Sequence, residues 1–280
     1  MLDFLAVGTI TKDLLGAGKT TMGGTVTYAA VTACNLGLRT GIIARADSAF
    51  DLSPLQERGI EILRLPAAET TTFTNLYRDG RRLQYISAIA GPIAGADIPE
   101  SWRGARIVHL GPLAQDLPAD VSCAFNGSLL GVTPQGWMRR WGDDGLIHAV
   151  PWERPEDVLS CADVLVYSVD DVVGDERLIH RYGSLVETMV VTQSKRGATV
   201  YRRGQHPHHF PAFAADEVDP TGAGDVFCAA YLIHLAETHD PYAACRFANC
   251  VASFSVEGVG VSRIPTRAEV EERLHQHRVP

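Results

Sequence analysis

At 280 residues, 46 % of them hydrophobic and 21 % charged, the chain can bury roughly 75 % of its unfolded surface in one main domain. Its 26 glycines and 15 prolines speak for many tight connections and against a helical bundle. A formal charge of −8 excludes general nucleic-acid binding, which draws on lysines and arginines at phosphates. No run reaches the roughly 18 apolar residues of a membrane span. The start, Met1-Leu2-Asp3-Phe4, lacks the basic end of a signal peptide, so neither a membrane nor export is expected and the location reads as cytoplasmic.

Phe4 to Gly8 reads as a buried strand, Ala29 to Leu36 as a helix closing at Gly37, and Gly41 to Ala44 as a second strand. Ser53-Pro54-Leu55-Gln56 supplies an N-cap, a proline at the first helical position and a glutamine at the third. A strand over Ile60 to Leu65 follows. Thr71 to Tyr77 and Leu83 to Ile86 alternate more openly around Arg78-Asp79-Gly80-Arg81 and read as a hairpin outside the main sheet. Ile107 to Leu110, Val121 to Phe125, Val164 to Val166 and Met189 to Thr192 are near-continuous apolar runs, the mark of parallel strands covered on both faces. Helical spacing returns over Val226 to Leu235 and over Pro241 to Phe254, the latter with Asp240 as N-cap. Thr266 to Glu269 is a capping box for a closing helix through Val270 and Leu274.

Cys34, Cys123, Cys161, Cys228, Cys245 and Cys250 are scattered without CxxC spacing and read as buried small hydrophobes. His206, His208 and His209 lack the partners of a metal site and read as an extended surface connection. The chemistry concentrates in Asp219-Pro220-Thr221-Gly222-Ala223-Gly224-Asp225. Gly222 and Gly224 permit a turn whose N–H groups face one point, and the following helix adds its positive end, an arrangement suited to a phosphoryl group. Asp225 then stands where a base would take a hydroxyl proton. Read by themselves, the same residues also suit a plain helix cap behind a turn. GxxxxGK[ST] is absent, which excludes a Walker A loop.

This run resembles the signature of the ribokinase, or PfkB, family of carbohydrate and nucleoside kinases, and further motifs follow in the family's order along nearly all of the chain. The resemblance implies an α/β fold: a single three-layer domain over 1–280 with a mainly parallel central sheet and a small β-strand lid from segments near 9–22 and 70–89. It implies Asp225 as catalytic base, with Gly222, Ala223 and Gly224 as the anion hole. Asp13, in Gly8-Thr9-Ile10-Thr11-Lys12-Asp13, matches an acceptor-binding aspartate, and Gly23-Gly24 the family's di-glycine. Tyr28 stands where ribokinase proper has an asparagine, and Gln135 and Arg139 lie in Thr133-Pro134-Gln135-Gly136-Trp137-Met138-Arg139. These segments are similar to inositol kinase-like members and turn the expected acceptor from ribose toward a sugar or cyclic polyol.

On the donor side, Thr192, Lys195 and Gly197 resemble the nucleotide loop, with Ser194 in place of its first glycine, while Asn249 matches an adenine-side asparagine and Gly258 to Gly260 shape the adjoining loop. Ser168 and Asp171 replace the family's Asn-x-x-Glu element, so Asp171 is the expected link, through water, to magnesium. The implied reaction is transfer of a nucleotide's terminal phosphate to an alcohol, with ATP as donor, ADP left open, Mg2+ required and a monovalent cation allowed. A nucleoside kinase and a non-catalytic small-molecule sensor are the alternatives. A homodimer through the lid is compatible with the family pattern.

Overall fold

The computed structural model describes residues 1–16, 18–78, 81–172 and 175–277. A nine-stranded sheet runs, from one edge to the other, through His208–Phe210, Ala198–Arg202, Thr188–Thr192, Val164–Ser168, Leu129–Val132, Ile107–Gly111, Phe4–Gly8, Thr40–Ala46 and Glu61–Pro66. The seven strands from Thr188–Thr192 to Glu61–Pro66 are parallel, and the other two add an antiparallel edge. Parallel neighbours need crossovers, and alternate strand side chains therefore feed two cores. Phe4 and Ala6 pack with the helices Thr25–Asn35, Ala223–Thr238, Pro241–Ser255 and Arg267–Gln276. Leu5 and Val7 pack on the opposite face with Val108, Trp152, Leu159 and Tyr182. Each large side chain so buried contributes about 1.5–3 kcal/mol, and the result is a three-layer α/β domain. Among the described residues no helix is long and apolar enough to cross a membrane.

A four-stranded sheet of Lys19–Gly23, Thr11–Gly16, Thr72–Arg78 and Arg81–Ala88 stands apart from the large one. It holds the two segments expected in the lid; Asp79 and Gly80 of the hairpin turn lie outside the described residues. A ribbon of Arg139–Trp141 and Ile147–Ala149, not foreseen from the sequence, joins this sheet where Ile86 N–H donates to the Gly145 carbonyl at 2.9 Å.

Several expectations are corrected. Val121 to Phe125 is not a strand: Ala119–Ala124 forms a 3-10 helix after Pro118, and the strand is Leu129–Val132. The first helix begins at Thr25, four residues earlier than expected, because tertiary burial of Thr25, Val26 and Thr27 outweighs the weak helix propensity of β-branched residues. Ser53 lies inside its short helix, and the cap position falls on Leu52. His208–Phe210, expected as an extended surface connection, is a hydrogen-bonded edge strand. Among the described residues no group of three or more His, Cys, Asp or Glu could hold a metal. Cys123 and Cys161 are not simple hydrophobes but form a disulfide across 38 residues, a pairing that spacing alone cannot reveal. Cys34 is only half-buried, whereas Cys228, Cys245 and Cys250 are buried free thiols. The caps at Asp240 and at Thr266 with Glu269 are both present.

Candidate active site

Strand order reverses between Phe4–Gly8 and Ile107–Gly111, the kind of switch point at which open parallel sheets form a crevice beyond their carboxyl ends. Thr9 and Asp116 close its floor. The Thr9 hydroxyl donates to Asp116 at 2.5 Å, and Asp116 also accepts from the N–H groups of Leu113 and Ala114 at 3.1 Å each. Burial drives the Asp116 carboxyl above the usual range, and these donors pull it partly back. The Asp116 role gave no signal in the sequence, since a lone loop aspartate has no period or motif to mark it.

The glycine turn sits beside this floor. Gly222 caps the helix Ala223–Thr238 in the left-handed region at φ 77°, and a side chain there would enter the Tyr28 ring. Tyr28 itself is 4 % exposed, so its ring backs the turn. Ala223 N–H donates to the Pro220 carbonyl at 3.2 Å, which closes the turn. Asp219 braces the loop, accepting from Thr221 N–H at 3.0 Å and from Gly260 N–H at 3.3 Å. Gly260 thereby ties the turn to the 258–260 segment.

Asp225 lies in the first helical turn, partly exposed. Desolvation pushes its carboxyl up to about 7; the Thr25 hydroxyl and the Arg139 charge pull downward, and the Asp171 carboxylate adds to the rise. Three separate segments thus act on one carboxylate. Asp171 accepts from Ser168 N–H at 2.9 Å and from the Gln135 amide at 3.2 Å, and burial raises its pKa as well, against the pull of Ser168, Gln135 and Arg139. Arg139 stacks 5.8 Å from the centre of the Phe73 ring and donates to the Leu113 carbonyl at 3.4 Å. A cleft of about 200 Å³ is lined by Gln84, Gln135, Arg139, Ile147, Asp170 and Asp171, among others. Gln84 comes from the small sheet and was missed: within an alternating strand nothing distinguishes a cleft residue from a solvated one.

Asp13 accepts from the Thr11 hydroxyl at 2.9 Å, and a side chain at Gly23 would strike the Asp13 carboxylate. Gly24 at φ 89° starts the helix that carries Thr25 and Tyr28. On the far side, Thr192 ends its strand with its hydroxyl 3.4 Å from the Tyr167 carbonyl. Ser194 adopts φ 55°, so the chain keeps a glycine-like conformation without the glycine, at a cost of about 1–2 kcal/mol. Gly197 has φ 99°. Lys195 is exposed and paired with Glu217 at 3.5 Å. Asn249 is buried, and its amide donates to the carbonyls of Phe210 and Pro211 at 3.1 and 3.2 Å, which anchors the edge strand.

Comparison with known proteins fits this geometry. Residues 165–267, which contain the glycine turn and Asp225, match the family model "pfkB family carbohydrate kinase". Ribokinase of Bacillus subtilis (strain 168) is 46 % identical over 87 residues, 31 % of this chain and 29 % of that protein. Over these segments the chain is similar to the PfkB/ribokinase family. Bifunctional protein HldE of Vibrio parahaemolyticus is 35 % identical over 115 residues, 38 % of this chain and 24 % of that protein. The matches thus span less than a third of these curated relatives. Two solved structures show the ribokinase fold over the whole chain. One is a pyrophosphate-dependent kinase in the ribokinase family complexed with a pyrophosphate analog and myo-inositol: TM-score 0.82, 22 % identity, 96 % of this chain and 99 % of that one. The other is Arabidopsis thaliana ribokinase complexed with ribose and ATP: TM-score 0.78, 20 % identity, 98 % of each chain.

Proposed function

We propose that this chain is a kinase that transfers the terminal phosphoryl group of a phosphate donor to a hydroxyl of a sugar or cyclic polyol. The observation that carries the reading is Asp225: a carboxylate beside an anion-binding turn, raised to about 7, close to the ideal for a base working near neutrality. Asp225 takes the acceptor hydroxyl's proton while the acceptor oxygen bonds to the terminal phosphorus and the bridging P–O bond to the leaving phosphate breaks. The N–H groups of Gly222 and Gly224, the positive end of the helix and the Arg139 charge offset the charge on the transferred group. Asp13, Gln84, Gln135 and Arg139 hold the acceptor. Asp171, held by Ser168 and Gln135, suits a water-mediated hold on Mg2+ brought in with the donor's phosphates, where the ion supplies charge neutralisation. The likeness to the myo-inositol complex supports a polyol acceptor.

ATP is the first donor to test, with Thr192, Lys195, Gly197, Asn249 and Gly260 on its path. A second reading, pyrophosphate as donor, is favoured by the commitment of the Asn249 amide to Phe210 and Pro211, which leaves it little to offer adenine. Leu15 and Leu76 are exposed on the small sheet and support self-association through it, which sedimentation would measure.

The deciding experiment assays ATP, ADP and pyrophosphate against inositol, pentoses, hexoses and nucleosides with Mg2+ present. Transfer to a polyol or sugar is expected. A preference for nucleosides would move the acceptor class, and ligand binding with no transfer would make the chain a sensor. Asp225→Asn is expected to fold and to lose about 10²-fold or more in turnover; near-parental turnover would remove Asp225 from the mechanism.

A further inference from the structure

The helix Thr25–Asn35 carries three buried threonines, and two of them are satisfied in the usual way. Thr27 donates to the Gly23 carbonyl at 2.6 Å and Thr32 to the Tyr28 carbonyl at 2.7 Å, each bonding four residues back. Thr25 is the first residue of the helix and has no preceding helical turn to bond. Its side chain is 1 % exposed, and its hydroxyl oxygen is buried without a hydrogen bond of good geometry to any described residue. A buried hydroxyl left this way is destabilising, so its orientation calls for a reason.

The methyl of Thr25 occupies the space above Gly111 where a side chain would stand, and a β-branched residue at a helix start has few rotamers to choose from. The packing of Tyr28 on Gly222 brings the starts of the two helices together, so the fixed hydroxyl faces the first turn of Ala223–Thr238, where Asp225 stands. We infer that Thr25 is a positioning residue: its hydroxyl donates to the Asp225 carboxylate and holds one oxygen so that the other faces the acceptor. The inference rests on the proposed kinase reading. The bond is expected to shorten when acceptor and donor fill the crevice, as catalytic hydrogen bonds commonly do. The same hydroxyl accounts for part of the downward pull on the Asp225 carboxyl.

Two substitutions separate hydroxyl from shape. Thr25→Val keeps the volume and the methyl over Gly111 but removes the donor; Thr25→Ser keeps the donor and loses the methyl. Thr25→Val is expected to lower kcat about 10-fold or more with acceptor KM unchanged, while Thr25→Ser stays within about threefold of the parent in kcat. A Thr25→Val variant with parental kcat, or a Thr25→Ser variant as slow as Thr25→Val, would overturn the inference. Should Thr25→Val fail to fold, Thr25→Ser alone decides, since parental kcat in it supports the hydroxyl and a tenfold loss rejects it. A parent inactive toward every donor and acceptor would sink the kinase reading instead. Thr25 is then judged by crystal structures, which support it if the hydroxyl lies within 3.2 Å of the Asp225 carboxylate and reject it otherwise.

Discussion

Asp225 carries two obligations that pull against each other. Its folded pKa is about 7 against an ordinary 3.8, so between those values the native chain holds a proton that the unfolded chain has released. Stability contributed by this site is therefore greatest at low pH and falls as pH rises toward 7. On the proposed mechanism activity runs the other way, because only the ionised form accepts a proton. Turnover is expected to rise with pH through about 7 and then level; a rise centred near pH 4 would detach the limb from Asp225. In thermal unfolding, Asp225→Asn is expected to exceed the parent in Tm at pH 8, with the gap closing toward pH 4. Equal Tm values at pH 8 would show that ionised Asp225 bears no desolvation cost. The motif makes Asp225 legible in the sequence, but its raised pKa comes from the desolvating walls and the Asp171 carboxylate, set against the pull of Thr25 and Arg139, all of which arrive from distant segments.

At the scale of the element, the two glycines of the turn do different work. Gly222 is held at φ 77° against the Tyr28 ring. Gly224 lies inside the helix, with open space around the position a side chain would take. Gly222→Ala is expected to cost at least about 1–2 kcal/mol from the left-handed backbone alone, with more from the clash, and to lower the urea midpoint visibly. Gly224→Ala is expected to leave that midpoint unchanged or raise it, since alanine favours a helix by about 1 kcal/mol, yet to slow turnover by narrowing the approach to the phosphate. A destabilised Gly224→Ala or an unaffected Gly222→Ala would reverse these roles. From sequence the two are equivalent letters of one motif. The small sheet shows the same limit: its hairpin alternates legibly, but the Arg139–Trp141 ribbon that meets it through Gly145 is too short and too polar to read as strand.

Across the whole molecule, the Cys123–Cys161 disulfide ties the 119–124 turn to the segment entering Val164–Ser168, the strand that leads into the turn carrying Asp171. Closing a loop of this length restricts the unfolded chain by about 3–4 kcal/mol in the chain-entropy account. Urea unfolding with and without reductant is expected to show a loss of that order, and a Cys123→Ser, Cys161→Ser double variant should match the reduced parent. Identical midpoints with and without reductant would show that the bond contributes nothing to stability.

The sequence by itself determined the layered α/β plan, the capped helices near Asp240 and Thr266, and the glycine turn that leads into Asp225. These depend on local patterns: continuous apolar runs, cap residues at fixed offsets, and glycines at a turn. Only the tertiary structure decided what surrounds that turn. Tyr28 lies behind Gly222, Gln135 holds Asp171, the Asn249 amide is committed to the edge strand, and Thr25, Asp116 and Gln84 enter the crevice from elements that reveal nothing individually. The physical reason is that a side chain's partner, its desolvation and its charge environment are set by segments more than a hundred residues away, as with Thr9 and Asp116, and no local period encodes them.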